Sequence, residues 1–478
     1  MMYQTHVGLE IHIHLNTESK VFCGCKAHFG DEPNTNVCPV CMGYPGVLPV
    51  LNEHALELAY IVSRALNCEL SKRTLFDRKN YFYPDMPKNY QITQFHEPVG
   101  QHGTIEFALP DGSVKKVRIH DVHLEEDAGK MIHAGDMTLL DYNRAGYSLL
   151  EVVTEPDLNS GEEAEAFLHA FQRVVRYLGV SDGNMEEGSM KCDTNVSINT
   201  VGAGLGTKVE IKNLNSSRFV KKSIEYETRR QATVLEGGNK VSQETRLWNE
   251  NRDVTETMRT KEGGLDYRYF PEPDLPPFVP DAAFLKRIEV AQVELPLARK
   301  LRLAREFGLT REQADFVTDH RFTAEFFERA AQLTGGVPHA AGVAIANWLM
   351  GDVQKELNHF SLTLEASPLT ADRLAQLQKL LDSGRIHSKI AKTLLVAVFE
   401  EDKEPEALLK EKGLEALTTE DQLAPIVEGV FAAHPAVVEA VKAGDARQKG
   451  FLVGQVMKAT GGRAAPDLVN ALLAKRLG

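Results

Sequence analysis

The sequence has no long hydrophobic run and few cysteines. No apolar stretch in its 478 residues approaches the ~20 residues that a membrane-spanning helix needs. The N-terminus leads almost directly into a strand pattern, without the basic and then apolar segment of a signal peptide. Six cysteines are too few for a disulfide framework in a chain of this length. We therefore expect a cytoplasmic protein with no membrane-bound part and with roughly two to four domains.

Positive charge is also scarce over the chain as a whole. The 54 Lys and Arg residues against 67 Asp and Glu give a net charge of −13, which argues against a general nucleic-acid-binding protein. The charge is unevenly distributed, however, because the stretch from Lys442 to Gly478 contains seven basic residues and only two acidic ones. The basic residues of this last stretch are Lys442, Arg447, Lys449, Lys458, Arg463, Lys475 and Arg476.

A strictly alternating pattern occupies residues 7–15. Its apolar positions are Val7, Leu9, Ile11, Ile13 and Leu15, and its polar positions include Glu10, His12 and His14. Alternation with period two predicts a half-buried β-strand with a carboxylate and two imidazoles on one face. In a single strand, such a face is more often solvated than metal-binding.

Matching carboxylates recur in four later strand patterns. These are Glu125 in residues 121–125, Glu151 in 149–153, Asp193 in 189–198 and Glu210 in 208–212. If the strands share one sheet, these side chains converge with Glu10 and His12 on one surface. Crowded carboxylates repel one another unless cations lie between them, and Mg²⁺ suits oxygen ligands and phosphate best. The pattern therefore predicts a magnesium-binding face.

Four of the cysteines form two close pairs, Cys23 with Cys25 and Cys38 with Cys41. Two short pairs separated by a short spacer are typical of a tetrahedral zinc site, because each pair supplies two thiolates from one turn. The alternative is four unligated thiols in a reducing compartment. A closed site of four sulfurs leaves no open position, so we expect the zinc to be structural.

The remaining patterns of the first part predict helices over residues 52–66, 160–178 and 215–235 and a hairpin over residues 104–125. Residues 76–94 have no clear period and predict a long irregular loop that lines a site, with Lys79 and Lys88 on it. An ordinary packed loop is the alternative. The glycine-rich residues 202–208 lie between two strand patterns, which favours a hairpin loop over a phosphate loop.

After about Glu294 helical periodicity replaces the strand patterns. The expected helices cover residues 296–307, 311–318, 322–334, 340–358, 370–382 and 386–399. A charged stretch with a proline, residues 400–405, predicts a linker before a last helical segment. These changes of pattern divide the chain into a mostly β part over 1–293, a helical part over 294–405 and a helical tail over 406–478.

Long segments of the chain, in order, match a known family. The matching segments are VGLEIHIHL, FDRKNYFYPDMPKNYQITQF, HLEEDAGK, MEEGSMKCDTNVS, KVEIKNLNS, DYRYFPEPDLPP, IANWLMGDV, HSKIAKTLL and GFLVGQVMKAT. Over essentially its full length the chain resembles the B subunits of the bacterial tRNA-dependent amidotransferases. The four-cysteine cluster resembles only part of that family.

The resemblance implies an α+β fold in which a cradle around a mainly antiparallel sheet, similar to glutamine synthetase, precedes two small all-α domains. It implies a ligase that phosphorylates the side-chain carboxylate of Glu-tRNA(Gln) or Asp-tRNA(Asn) with ATP and then amidates it. The ammonia comes through a channel from a glutaminase, the A subunit, and a small C subunit completes a heterotrimer. The tail is expected to bind the misacylated tRNA.

Carried over by motif, the primary Mg²⁺ ligands are expected to be His12, Glu125 and Glu151. Glu10, Asp193 and Glu210 would form a second metal or ATP–Mg²⁺ site. Lys79 and Lys88 are candidates for phosphate contact or for the ammonia path. Catalytic roles fall on Glu125, Glu151, Lys79 and Lys88.

Two other functions remain open at this point. The chain could be a non-catalytic tRNA-binding scaffold, in which case its acids form a solvated face. It could also hydrolyse glutamine itself, with Cys68 or Cys192 as nucleophile. Neither cysteine has an evident histidine partner in the sequence, so buried, inert thiols are favoured, and a partner must supply the ammonia.

Overall fold

The computed structural model describes residues 3–260, 267–417, 419–443, 445 and 447–477. The chain divides into two compact units, one ending at Ala298 and one beginning at Arg299. The first unit combines strands with a few helices, and the second is helical. The expected α+β fold is confirmed.

The first unit is organised around a nine-stranded sheet with the order β13-β12-β11-β10-β1-β9-β6-β5-β2. Neighbouring strands are antiparallel, except for the parallel pair β11 and β12. The strands of this sheet are β1 (Tyr3–His14), β2 (Glu69–Leu70), β5 (Gly100–Ala108), β6 (Val114–Glu126), β9 (Ser148–Thr154), β10 (Met190–Thr200), β11 (Val209–Lys212), β12 (Glu244–Asn249) and β13 (Val254–Thr260).

The central strand β1 follows the alternation of its sequence. Val7, Leu9, Ile11 and Ile13 are fully buried, whereas the polar positions between them are only partly covered. The buried face belongs to a core completed by apolar side chains of the helices of this unit. Those helices are α1 (Glu53–Ala65), α2 (Gly161–Tyr177), α3 (Ser217–Glu236) and α4 (Ala282–Val290). The opposite face of the sheet is thus left to polar side chains.

The three helices expected in this unit form where their sequences begin with a capping residue. Asn52 accepts hydrogen bonds from the backbone of α1, Ser160 from that of α2 and Ser216 from that of α3. Such caps satisfy amide groups that the first helical turn leaves unpaired. The expected hairpin forms from β5 and β6, and residues 202–208 connect the paired strands β10 and β11. They are a hairpin loop, as predicted.

Two small sheets lie outside the main one. The first pairs β3 (Asp77–Asn80) with β4 (Tyr90–Thr93) and with β14 (Phe270–Pro271). The second is the hairpin of β7 (Lys130–Ala134) and β8 (Met137–Asp141). The prediction that residues 76–94 form one irregular loop is wrong, because each end of this stretch contributes a four-residue strand. Strands this short contain too few alternations to give a detectable period.

The second unit contains helices where the sequence predicts them. They are α5 (Pro296–Phe307), α6 (Arg311–Val317), α7 (Arg321–Thr334), α8 (Pro338–Trp348), α9 (Gln354–Phe360), α10 (Ala371–Asp382), α11 (Ser388–Glu401), α12 (Pro405–Glu411), α13 (Glu420–Ala433), α14 (Pro435–Lys442), α15 (Arg447–Ala459) and α16 (Pro466–Leu477). A π-helical turn, Leu349–Val353, joins α8 to α9, so the helix expected over residues 340–358 is continuous but locally widened.

These helices surround two separate hydrophobic clusters. One runs from Leu303 to Leu409, and the other from Leu423 to Leu473. Leu408 and Leu409 of α12 are fully buried in the first cluster. The prediction of a linker over residues 400–405 is therefore wrong: only residues 402–404 separate α11 from α12, and both helices belong to the same core. A run of charges looks like a linker because it lies on the exposed ends of two packed helices.

In the described part of the chain, no single helix has the length and apolar character of a membrane span. Only the sharply bent pair of α13 and α14 meets those criteria together, and it does so by length and composition alone.

Candidate cation sites on the central sheet

The register of four neighbouring strands aligns the polar residues of the open sheet face in rows. One row crosses β10, β1, β9 and β6 and consists of Lys191, His12, Glu151 and His123. In a second row, Asp193 lies opposite Glu10. Residues of the same row on adjacent strands are about 5 Å apart. Polar residues that share the same alternation in sequence therefore lie close together in the structure, because their strands are direct neighbours.

The first cluster is centred on Glu151. Its Oε2 lies 3.1 Å from Nε2 of His12 and 3.2 Å from Nε2 of His123. Glu125 lies beside this pair, with Oε2 at 4.0 Å from Nε2 of His123, and it accepts a hydrogen bond of 3.1 Å from the Thr93 hydroxyl. One ligand atom each from His12, Glu125 and Glu151 lies within 4.8 Å of the others. This spacing suits three ligands of one divalent cation, whose ligand bonds are roughly 2.0–2.6 Å long.

The two carboxyl groups of this cluster have opposite protonation tendencies. Burial opposes ionisation of Glu151, but the adjacent His12 and His123 hold the pKa of its carboxyl well below the usual range. For Glu125, burial and the charge of Glu151 raise the pKa. Burial alone would lower the pKa of His12, but Glu151 raises it to about 9. A divalent cation bound between them would favour the ionised form of both carboxylates.

The second cluster contains Glu10, Asp193 and Glu210, whose ligand atoms also lie within 4.8 Å of one another. Burial and the charge of Glu151 raise the pKa of Glu10, so the two clusters are electrostatically linked. Lys212 contacts Asp193 and lies 3.1 Å from Glu210 Oε1. Both predicted ligand sets are thus brought together, each as a separate triad on the same face of the sheet.

The two candidate lysines have different surroundings. Lys79 on β3 lies near the first cluster: burial lowers its pKa, but Glu125 and Tyr269 outweigh this, and the pKa is raised. Its Nζ is 5.2 Å from the ring centre of Tyr267. Lys88 is nearly buried, with 8% of its side chain exposed, and its Nζ donates to both carboxylate oxygens of Glu126. Lys79 therefore interacts electrostatically with the carboxylate cluster, whereas Lys88 is engaged in an ion pair with Glu126.

Two residues of this face were not predicted as site residues. His123 has the right parity and lies between Glu151 and Asp121, from which its Nδ1 is 2.8 Å away. Asp127 follows the end of β6, where parity no longer applies, and contacts His14 Nε2 at 2.7 Å and Arg144 Nε at 3.2 Å. The sequence HLEEDAG contains both, and the histidine could have been found by parity alone.

The four cysteines of the predicted zinc site converge. Cys23, Cys25, Cys38 and Cys41 place their sulfurs within 4.8 Å of one another, and those of Cys38 and Cys41 are 3.9 Å apart. Tetrahedral Zn²⁺ with bonds of about 2.3 Å separates its sulfurs by roughly 3.8 Å. Lys20, which is fully buried, places its Nζ 3.6 Å from Cys41 Sγ. The donor set therefore fits a zinc ion bound by four thiolates with a lysine beside it.

The other two cysteines have no comparable environment. Burial and the nearby Asp121 raise the pKa of Cys68 to about 12, and burial raises that of Cys192 as well. A thiol with a raised pKa is a poor nucleophile because little thiolate is present at neutral pH. These surroundings are those of structural, inert thiols.

The basic residues of the last helices are partly paired within the second unit. Lys475 contacts Glu420 at 2.7 Å, and Arg476 contacts Glu428 at 3.2 Å. Arg447 and Lys458 both lie exposed on α15. Part of the positive charge of this region therefore lies exposed to solvent on helix α15.

Comparison with known proteins agrees with this picture over the whole chain. Two protein-family models match, one described as the GatB/GatE catalytic domain over residues 5–286 and one as the GatB domain over residues 325–477. The B subunit of the aspartyl/glutamyl-tRNA(Asn/Gln) amidotransferase of Carboxydothermus hydrogenoformans is 45% identical, and the match covers 99% of each chain. Proteins with the same name from a Thermoanaerobacter species and from Persephonella marina are 47% and 46% identical, each over 100% of both chains. The chain therefore belongs to the family of aspartyl/glutamyl-tRNA(Asn/Gln) amidotransferase B subunits.

Proposed function

We propose that this chain is the subunit that activates and amidates the amino-acid side chain in a tRNA-dependent amidotransferase. Its substrate would be Glu-tRNA(Gln) or Asp-tRNA(Asn), and its co-substrate ATP. The observation that carries the proposal is the pair of carboxylate triads on one sheet face, within a chain that belongs to this family. Two cation sites on one face can hold Mg²⁺ ions that bridge the phosphates of ATP and neutralise charge during phosphoryl transfer.

The chemistry explains why a kinase step is needed. A carboxylate is a poor electrophile because amidation would have to expel an oxide. Transfer of the γ-phosphoryl group of ATP to that oxygen makes phosphate the leaving group, and ammonia then displaces it to form the amide. The protein has little covalent work in such a transfer, so positioning and charge neutralisation dominate.

Each triad is assigned one part of this task. His12, Glu125 and Glu151 would hold one Mg²⁺, and Glu10, Asp193 and Glu210 a second metal or ATP–Mg²⁺. Bound there, Mg²⁺ would neutralise charge on the transferring phosphoryl group and orient it. Lys79, which is kept charged beside Glu125, is suited to contact phosphate. Lys88 is held by Glu126 and is suited to line the path by which ammonia arrives.

The zinc site would be structural. Its four thiolates leave no position for substrate. The loop that carries them is tied to residues 141–147 by side-chain hydrogen bonds: Asn34 N donates to Asp141 at 3.0 Å, and the Tyr147 hydroxyl donates to the His28 carbonyl at 2.7 Å. Zinc would thus fix the shape of a loop next to the cradle.

The described residues of this chain include no cysteine suited to glutamine hydrolysis, so we expect a partner subunit to supply the ammonia. Cys68 and Cys192 are the only cysteines outside the four-thiol cluster, and their raised pKa values do not suit glutamine hydrolysis. Ammonia would therefore come from a glutaminase A subunit, in a cytoplasmic heterotrimer that a small C subunit completes. Misacylated tRNA would be held by the last helices.

A single substitution tests the kinase assignment. Glu125→Gln keeps the size of the side chain but removes the charge, so amide formation and tRNA-dependent ATP hydrolysis should fall by at least about a hundredfold. Glutaminase activity of the partner should be at least partly retained. Glu106→Gln, an exposed position on β5, is the matched control and should behave as wild type. Normal ATP-driven amidation by Glu125→Gln would refute the assignment and favour the scaffold alternative.

A further inference from the structure

Lys212 is the last residue of β11 and lies inside the second carboxylate triad. Its Nζ donates to Asp193 Oδ2 and lies 3.1 Å from Oε1 of Glu210. About a third of the side chain, 33%, remains exposed. The ammonium group therefore occupies the place that a cation shared by Asp193 and Glu210 would take, and it can still be reached from solvent.

The charge of the triad explains why a cation lies there. Glu10, Asp193 and Glu210 bring carboxylate oxygens within 4.8 Å of one another, and such charges repel strongly where water is partly excluded. Lys212 offsets one of them. Asn195 helps with Glu10, since its amide nitrogen donates to Glu10 Oε1 at 2.8 Å.

Asn195, beside the triad, has a buried polar atom that the described residues leave without a partner. With its nitrogen directed to a carboxylate, its amide oxygen must face elsewhere. Among the residues that the structure describes, this buried oxygen accepts no hydrogen bond. Buried amide oxygens nearly always have a donor or a cation as partner. A cation or a bound water beside Asn195 would supply that partner.

A divalent cation and the Lys212 ammonium cannot occupy this triad together. Any metal bound through Asp193 and Glu210 would take the oxygens that Nζ now contacts, and the two positive groups would repel at that distance. The lysine stem can move away, because Lys212 ends its strand and the next residue, Asn213, turns the backbone with a φ of 67°.

We infer that Lys212 is a displaceable counter-ion, which changes its ionic partner from carboxylates to phosphate when nucleotide binds. This inference rests on the proposed second cation site. Without nucleotide it neutralises Asp193 and Glu210. When a metal–nucleotide complex binds, the metal takes these oxygens and the released ammonium contacts the phosphates of the same nucleotide. Lysine suits this role because it is a compact charge on a flexible stem with three rotatable donors. No covalent bond changes in this exchange.

The inference predicts opposite effects on two binding constants. Lys212→Met in the full chain removes a competitor, so Mn²⁺ alone, followed by electron paramagnetic resonance, should bind about tenfold tighter. A non-hydrolysable ATP analogue with Mn²⁺ should bind about tenfold weaker, because a phosphate contact is lost. Lys208→Met, an exposed lysine just before the same strand, should change neither constant. Lys212→Gln keeps a polar side chain and should show the same two opposite shifts if Lys212→Met proves unstable.

The outcomes separate this inference from the proposed function. Asp193→Asn should weaken Mn²⁺ binding at this site; if it does not, the second cation site is refuted and the role of Lys212 with it. If Asp193→Asn acts as expected but Lys212→Met and Lys212→Gln leave Mn²⁺ affinity unchanged or weaken it, only the exchange is refuted. A parallel loss of both affinities would mean that Lys212 merely supports the local structure.

Discussion

At the scale of single residues, Glu151 is the point on which the first cluster depends. It is held by His12 on one side and His123 on the other, and all three lie in one row of the sheet. Burying so many ionisable groups together costs free energy that their mutual pairing only partly offsets. Such an arrangement is poor for stability and good for binding, which favours a cation site over a merely structural network.

His123 is expected to support the metal by orienting Glu151. Its Nδ1 is engaged by Asp121, which fixes the ring, and its Nε2 contacts Glu151. Outer partners of metal ligands typically contribute about 10- to 100-fold in metal affinity. His123→Gln should therefore weaken Mn²⁺ binding at the first site by about tenfold or more, measured by titration calorimetry on the folded chain.

The control for this substitution is on the same strand. His120 has a side chain that is 58% exposed, and His120→Gln should leave Mn²⁺ affinity unchanged. If His123→Gln binds Mn²⁺ as tightly as wild type, the ring does not orient Glu151, and the first site is held by His12, Glu125 and Glu151 alone.

The alternation in the sequence was sufficient to predict the acidic face, but not to predict which of its residues belong to which triad. Alternation places Glu10, His12, Glu125 and Glu151 on one side of their strands whatever their neighbours are. Which of them share a row depends on the order and register of strands far apart in sequence, and these are set by packing of the whole core. The ligand sets of the two triads came from the family resemblance, and the register brings each set together.

At the scale of elements, the cysteine loop and residues 141–147 behave as one structural block. Besides the bonds of Asn34 and Tyr147, Asn36 N donates to the Asn143 side chain at 2.8 Å. The buried Lys20 joins both parts, since its Nζ donates to the Tyr142 carbonyl at 3.2 Å while lying beside Cys41. Loss of the zinc site should therefore loosen both segments together.

Zinc is expected to stabilise the folded chain measurably. Binding energy at a structural site contributes directly to the free energy of folding. Elemental analysis should find about one zinc per chain, and Cys38→Ser should remove it and lower the melting temperature by several degrees. Cys68→Ser removes a thiol outside the cluster and should keep the zinc. A wild-type chain without zinc, or a Cys38→Ser chain of unchanged stability, would count against the site.

Long elements were predictable, and short ones were not. The helices over residues 160–178 and 215–235 show several turns of period and a capping serine, so local sequence determines them. The strands β3 and β4 have four residues each, and they form because they pair with each other and β3 pairs with the distant β14. The charged residues at the end of α11 look like a linker in sequence because the burial of Leu408 and Leu409 is a tertiary effect.

At the scale of the whole molecule, charge is segregated along the chain. The net charge of −13 is an average over an acidic face, which we assign to cations, and a basic C-terminal stretch, which we assign to tRNA. An average of this kind hides both functions. Pairs such as Lys475 with Glu420 reduce the positive charge that the tail can offer, so exposed residues of α15 are the better candidates for phosphate contact.

Substitution of Arg447 and Lys458 tests best whether the tail binds tRNA. Deleting the whole tail would cut through α12, which is buried in the first helical cluster, whereas these two residues are exposed. Each phosphate contact that is lost should reduce the slope of log K against log salt by about one unit. The double variant Arg447→Ala, Lys458→Ala should therefore bind misacylated tRNA more weakly and with a flatter salt dependence, measured by filter binding with the partner subunits present. Its Mn²⁺ affinity should not change, because neither residue belongs to the sheet.

The matched variant Lys116→Ala, Lys240→Ala removes the same charge from exposed positions of the first unit. If both variants lose affinity equally, only net charge matters; if neither does, α15 does not contact tRNA.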